Sequence, residues 1–242
     1  LGVIGDWDRP YLTLTHDYEA AQIEIFGEMA KKGYIYKGQK PVYWCPHDET
    51  ALAEAEIEYK DVPCKSIFVK FAVTDDKGVI TKLLGTKENV YFVIWTTTTW
   101  TIPGNLAISL NPNFEYDFVK VPNGEIYVLA KELVASVMKT AGIDSWEVLG
   151  SDLELIKTKH PLFDRDSLVI TGDHVTLDAG TGCVHTAPGF GADDFIVCQR
   201  YNIPIIVPVD GKGRHTAESG KYEGMFVDDS NEVILKDLDD CG

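Results

Sequence analysis

The chain has 242 residues, 45% hydrophobic and 11% aromatic, enough apolar material for the core of one large domain or of a domain with appended segments. Its net charge of −16, from 38 acidic and 22 basic residues, excludes a surface that grips a phosphate backbone over many contacts, which needs clustered Lys and Arg. No apolar run approaches a membrane span, no signal peptide is visible, and the five cysteines form no CxxC pair, so a reduced, cytoplasmic protein is expected.

In chain order, LTHDYEAAQIEIFGEMAKKGY spaces Ile23, Phe26 and Met29 as a helix, with Gly33 where a C-terminal glycine cap belongs. QKPVYWCPHDET predicts a short strand and turn, and ALAEAEIEY a compact acidic segment. These residues, 1–62, are expected to form a small α/β stem that the chain rejoins at 225–242, with a larger domain over 63–224. Leu1 at the start and DLDDCG at the end suggest a piece of a longer protein.

From Ser66 onward β signals dominate. SIFVKFAV, NVYFVIWTTT, NLAISL, YDFVKV, EIYVLA, SLVITG, GCVHTA and IPIIVPV are short runs rich in β-branched and aromatic residues, separated by Gly, Pro, Asn and Asp. KELVASVMKTAG, closed by Gly142, and GADDFIVCQRYN, opened by Gly191, predict helices. The expected fold is mainly β with flanking helices (α+β): a distorted, nearly closed β-barrel plus the stem.

Two stretches carry the chemistry. In GTGCVHTAPGFGADDF (Gly180–Phe195), strand alternation puts Cys183 and His185 on one face. Pro188, Gly189 and Gly191 then break the strand, and Asp193 and Asp194 fall in the first turn of a helix, pointing back towards the strand end. Acids in a helix's first turn are also favoured by its dipole alone, and a strand histidine is often an ordinary core residue. In WTTTTWTIPGN (Trp95–Asn105), a buried strand continued through the threonines would set hydroxyls on both faces of its end, and buried hydroxyls need partners or water. A small polar pocket, walled by both stretches, satisfies them. Two zinc sets compete with it: Cys183, His185, Asp194 and Cys198, or Cys45, His47 and Cys64. Neither has the close ligand pairs usual for zinc. No GxSxG, P-loop or HExxH is present.

Together these stretches resemble the editing (CP1) domain of the isoleucyl-tRNA synthetases, an insertion of the large class I synthetases, with its WTTTPWTxPxN and GTGxVHxAPxHGxxDF/Y segments. GDHVTLDAGTG (Gly172–Gly182) and the stem-like WCPHDETALAEAEIEY extend the resemblance to nearly the whole chain. Thr99 stands where the family usually has proline, and Phe190 where it usually has a second histidine. Valyl enzymes usually carry lysine at the position of His185, so the isoleucyl type fits best. The HIGH-type and KMSKS motifs are absent, so the chain is expected to proofread and not to charge tRNA.

The resemblance implies hydrolysis of Val-tRNA(Ile), and of valyl-adenylate, with isoleucine excluded by size. It implies catalytic roles for Asp194, Thr97 and His185: Asp194 holds the α-ammonium and His185 walls the side-chain pocket. Trp95, Thr96, Thr98, Thr101, Asn105 and Gly182 would bind substrate, with the threonines and Asn105 on the terminal adenosine and the attacking water. The implied partners are the tRNA(Ile) 3′ end, its valyl moiety and the rest of a synthetase chain; no metal or other cofactor and no membrane are called for. The alternatives are a non-catalytic module that binds aminoacyl-adenosine and a zinc-dependent hydrolase.

Overall fold

The computed structural model describes residues 2–149 and 156–241, so residues 150–155 of the expected 63–224 domain lie outside the described residues. The chain divides into two compact units, Leu1–Lys40 and Pro41–Gly242. The first is built on helix α1 (His16–Lys31), which ends as its sequence predicts: Gly33 takes a positive φ of 76° and Tyr34 N–H returns to the Met29 carbonyl at 3.1 Å. Ile23, Phe26 and Met29 all lie exposed on α1.

The second unit opens with a short antiparallel ribbon, β1 (Trp44–Cys45) with β2 (Thr50–Ala51). It continues as β3 (Ile67–Asp75), α2 (Val79–Leu84), β4 (Val90–Thr96), β5 (Ala107–Leu110), β6 (Tyr116–Lys120), β7 (Ile126–Ala130), α3 (Val134–Thr140) and β8 (Glu147–Val148). Then come β9 (Lys157–Lys159), β10 (Asp166–Thr171), β11 (Val184–Thr186), α4 (Ala192–Arg200) and α5 (Val227–Cys241). Nine strands form one mixed sheet in the order β11-β5-β10-β9-β3-β4-β7-β6-β8. Pairings are antiparallel except β4 with β7 and β5 with β10, which are parallel. Among the described residues no backbone ladder joins β11 to β8, although β11 comes close to β4. The fold is thus a large mixed sheet with flanking helices.

The strands read as unbroken apolar runs because both sheet faces are covered. Phe92 and Ile94 of β4 point into the main core with Phe71, Phe118, Val128, Ile102 and Ile108. Between them Val93 points the other way, onto Val119, Leu129 and α3 residues Val134, Val137 and Met138. A third cluster packs α4 (Val197, Cys198) on Ala107 and Ile170.

Three sequence expectations need correction. IPIIVPV is not a strand, since Pro204 and Pro208 remove ladder donors and only the bridge Val209–His215 forms. The strand ending in the threonine run stops at Thr96. Helices α2 and α5 were not foreseen: α2 sits between two glycines of positive φ, Gly78 and Gly85, and α5 is a largely polar helix that buries Ser230 and Ile234. No described helix is long and apolar enough to cross a membrane.

Candidate functional site

The two sequence stretches meet because β11 pairs antiparallel with β5, His185 opposite Ile108, and Leu106 N–H donates to the Thr186 carbonyl at 3.1 Å. Residues Thr99–Gly104, which feed β5, form a single 3₁₀ helix. The threonine hydroxyls cause this departure from strand by bonding their own backbone. Thr98 N–H donates to Thr96 Oγ1 at 3.0 Å, and Thr101 Oγ1 donates to the Thr98 carbonyl at 2.7 Å. The expectation of hydroxyls on both faces of a continued strand is therefore replaced by a turn. Thr97 and Thr98 are exposed there, while Thr96, Thr99 and Thr101 are buried. Thr99 opens the 3₁₀ helix, a position that would also suit proline, because the first N–H of a helix has no partner to lose.

His185 bridges both stretches. Its Nε2 lies 3.1 Å from Thr101 Oγ1 and its Nδ1 lies 2.8 Å from Asn105 Nδ2. The hydroxyl hydrogen of Thr101 is already given to Thr98, so Nε2–H is the donor to Thr101. Asn105 Nδ2 has two hydrogens, one for the Ala107 carbonyl at 2.9 Å and one for Nδ1. Asn105 Oδ1 in turn accepts from Ser167 Oγ at 2.7 Å. The ring is thus held as a neutral Nε2–H tautomer, and desolvation pushes its pKa down to about 4. Both nitrogens are committed, so His185 presents a ring surface and no free base.

Asp194 sits in the first turn of α4, where the chain enters from the extended Gly191. A Cβ on Gly191 would lie 2.9 Å from the Asp194 carboxyl carbon, so glycine makes room for the carboxylate to fold back. Asp194 Oδ2 accepts the Ala187 N–H at 2.8 Å, two residues beyond His185. Desolvation raises its pKa, opposed first by the Ala187 N–H bond, and no Lys or Arg of the described residues forms an ion pair with it. A half-buried carboxylate without a cation is a place that favours an ammonium group. Asp193 is exposed, and its charge adds to the upward shift of Asp194.

The other residues singled out fall around these two. The Trp95 ring packs over Gly180, where a Cβ would approach it to 3.2 Å. Gly182 is buried at φ +75°, its carbonyl accepting from Tyr116 Oη at 2.8 Å, and Ala130 Cβ occupies the place of any side chain, at 2.3 Å. Phe190 fills the space beside the 3₁₀ helix, edge-on to Trp100 with centroids 4.9 Å apart. Cys183 Sγ turns to the Val128 carbonyl and Cys45 Sγ to Asp48, and among the described residues no three His, Cys, Asp or Glu side chains gather as metal ligands. Neither zinc set assembles. Ser167, which orients Asn105, was missed in the sequence because a strand serine carries no signal of its own.

Comparison with known proteins gives the family and the fold. The family model for class I tRNA synthetases (I, L, M and V) matches residues 1–196. The isoleucine--tRNA ligase of Caldicellulosiruptor saccharolyticus is 62% identical over 243 residues, covering 99% of this chain and 26% of that protein. That of Thermoanaerobacter sp. (strain X514) is 58% identical over 242 residues, covering 98% and 26%. The chain thus spans about a quarter of the length of the curated relatives it matches. Among solved structures, the GlLeuRS-CP1 crystal structure superposes with a TM-score of 0.57 at 14% identity, over 73% of this chain and 96% of that one. The cytosolic leucyl-tRNA synthetase editing domain of P. knowlesi gives 0.54 at 13% identity, over 74% and 95%. At such identities the likeness is one of fold.

Proposed function

This chain belongs to the class I tRNA synthetases (I, L, M and V), and on that footing we propose that it proofreads for an isoleucyl enzyme by hydrolysing the ester of Val-tRNA(Ile), and valyl-adenylate. The observation that carries the reading is the convergence of the two motifs. His185 is bonded to Thr101 and Asn105, and the carboxylate of Asp194 is anchored two residues further on with one oxygen to spare.

The need for such a site is energetic. One methylene in a hydrophobic pocket is worth only about 10–200-fold in selection, a general relation for which isoleucyl enzymes are themselves the usual worked example. A second pocket that admits only the smaller side chain supplies the rest. Here the free oxygen of Asp194 holds the α-ammonium by a charge-assisted hydrogen bond and so fixes the carbonyl. The exposed Thr97 and Thr98 orient the water and, with Trp95, the terminal adenosine, while the buried Thr96, Thr101 and Asn105, whose polar groups are spent within the protein, hold the turn and the His185 ring. Gly182 shapes the turn beneath them. Water oxygen adds to the ester carbonyl, the bond to the ribose oxygen breaks, and that oxygen leaves with a proton as valine is released. The His185 ring face meets the side chain and collides with the additional methylene of isoleucine. The 3′ end of tRNA(Ile) with its valyl moiety, and the rest of a synthetase chain, are the partners.

Because both His185 nitrogens are occupied, a second reading is a module that binds aminoacyl-adenosine without turnover. Incubating the chain with Val-tRNA(Ile) and Ile-tRNA(Ile) separates them. Release of valine and not isoleucine, also in the presence of chelator, supports the proposal; binding without release supports the second reading.

A further inference from the structure

The 3₁₀ helix Thr99–Gly104 carries Thr101 and leads into Asn105, the two partners of His185. Six residues of this tight geometry make too few internal bonds to fix their own position. Both ends are instead met by side chains from outside the two motifs. At the first end, Trp100 N–H donates to Asn231 Oδ1 of α5 at 3.0 Å. At the last end, His160 Nε2–H donates to the Ile102 carbonyl at 2.9 Å, and Arg165 Nη2 donates to the Pro103 carbonyl. His160 is fixed as a donor at Nε2 because its Nδ1 accepts the Leu162 N–H at 3.1 Å. Arg165 is steadied in turn by the Phe163 ring, 4.9 Å from its guanidinium carbon.

We infer that Asn231, His160 and Arg165 form a clamp that sets the position of the Thr99–Gly104 turn, and through it the His185 ring, so that they are positioning residues for selection of the acyl side chain. None of the three hydrogen-bonds to His185 or Asp194; each acts on backbone that carries His185's partners. The His185 ring takes its two hydrogen bonds from this turn and its neighbour, and so moves with it. A shift of well under one ångström is enough to change which side chain clears the ring, since misplacement by about 1 Å can cost on the order of 100-fold in a positioned reaction. The inference rests on the proofreading reading.

The test compares Asn231→Leu and His160→Leu, which remove the bond, with Asn231→Asp and His160→Gln, which keep an acceptor or donor in place. The readout is the ratio of kcat/KM for Val-tRNA(Ile) to that for Ile-tRNA(Ile). The leucine variants are expected to lower the ratio about tenfold, the scale of one methylene, with recovery in the conservative pair. A role in stability alone lowers both rates together and leaves the ratio unchanged, and that result overturns the inference. If His160→Leu does not fold, Asn231→Leu, on the half-buried face of α5, decides. The ¹⁵N resonances of the His185 ring supply a readout that needs no turnover: one protonated and one bare nitrogen in the parent chain, averaged values in the leucine variants. A parent chain that releases no valine, with these shifts as expected, removes the proposed function and leaves the clamp standing. Unaltered shifts remove the clamp.

Discussion

Asn105 and His185 stand 2.8 Å apart, amide nitrogen to Nδ1, and the second hydrogen of that amide is committed to the Ala107 carbonyl. Asn105→Asp has no donor for either acceptor, so the ring must turn its proton to Nδ1 and the Ala107 carbonyl loses its partner. The expected cost is about 1–3 kcal/mol of stability, the usual price of an unpaired buried group. Urea unfolding measures it, and ¹⁵N shifts of His185 report the exchanged tautomer.

Asp194→Asn keeps an oxygen for the Ala187 N–H and loses the charge. The fold and its thermal midpoint should stay close to those of the parent, while release of valine falls by about 10–100-fold, the scale of a charge-assisted hydrogen bond. Retained release in this variant removes Asp194 from the proposed chemistry.

His185→Ala takes away the ring that, on the proposed function, the substrate side chain meets. Ile-tRNA(Ile), spared by the parent chain, should then be deacylated at a rate within about tenfold of Val-tRNA(Ile). Intact Ile-tRNA(Ile) in this variant means that some other residue excludes isoleucine.

Three groups of the site and its supporting turn contribute to the pH dependence. His160 and His185 are pushed down to about 3 and about 4 by desolvation, below the 6.5 of a free histidine. Between about pH 6.5 and pH 4 the unfolded chain therefore binds more protons than the folded one, so stability falls as pH drops through that window. Asp194 has the opposite sign: its raised pKa costs stability as pH rises through it and the carboxylate ionises. Urea midpoints across this range should fall towards acid, and His160→Gln should flatten the curve. Valine release should show an acid limb above the ordinary carboxylate range, from Asp194, and no inflection from His185 near neutrality.

Gly182→Ala sets a side chain at positive φ against Ala130 Cβ, with 2.3 Å between the two. A loss of more than about 1 kcal/mol is expected even before the clash is counted. Thermal denaturation checks it.

The strands were legible from sequence where burial on both faces made the apolar runs continuous, as in β4 and β7. His185 and Asp194 were legible because strand alternation and a Pro-Gly break fix their directions locally. What escaped was decided elsewhere. The threonine run looked like strand, since β propensity says nothing of hydroxyls that bond their own backbone two and three residues away. Asn231, His160 and Arg165 act on the Thr99–Gly104 turn from positions 58 to 131 residues distant from their partners, beyond any spacing rule. IPIIVPV had the hydropathy of a strand and the prolines of a loop, and the prolines prevailed.

The antiparallel register of β5 with β11 joins residues roughly eighty positions apart, and the bonds of His185 to Thr101 and Asn105 exist only once that ladder has closed. A nascent chain therefore cannot bring His185 and Asp194 to the Thr99–Gly104 turn until the segment through Asp194 has emerged and docked, a contact of high sequence separation that forms slowly. On the proposed function, ester cleavage is thereby reserved for the finished fold.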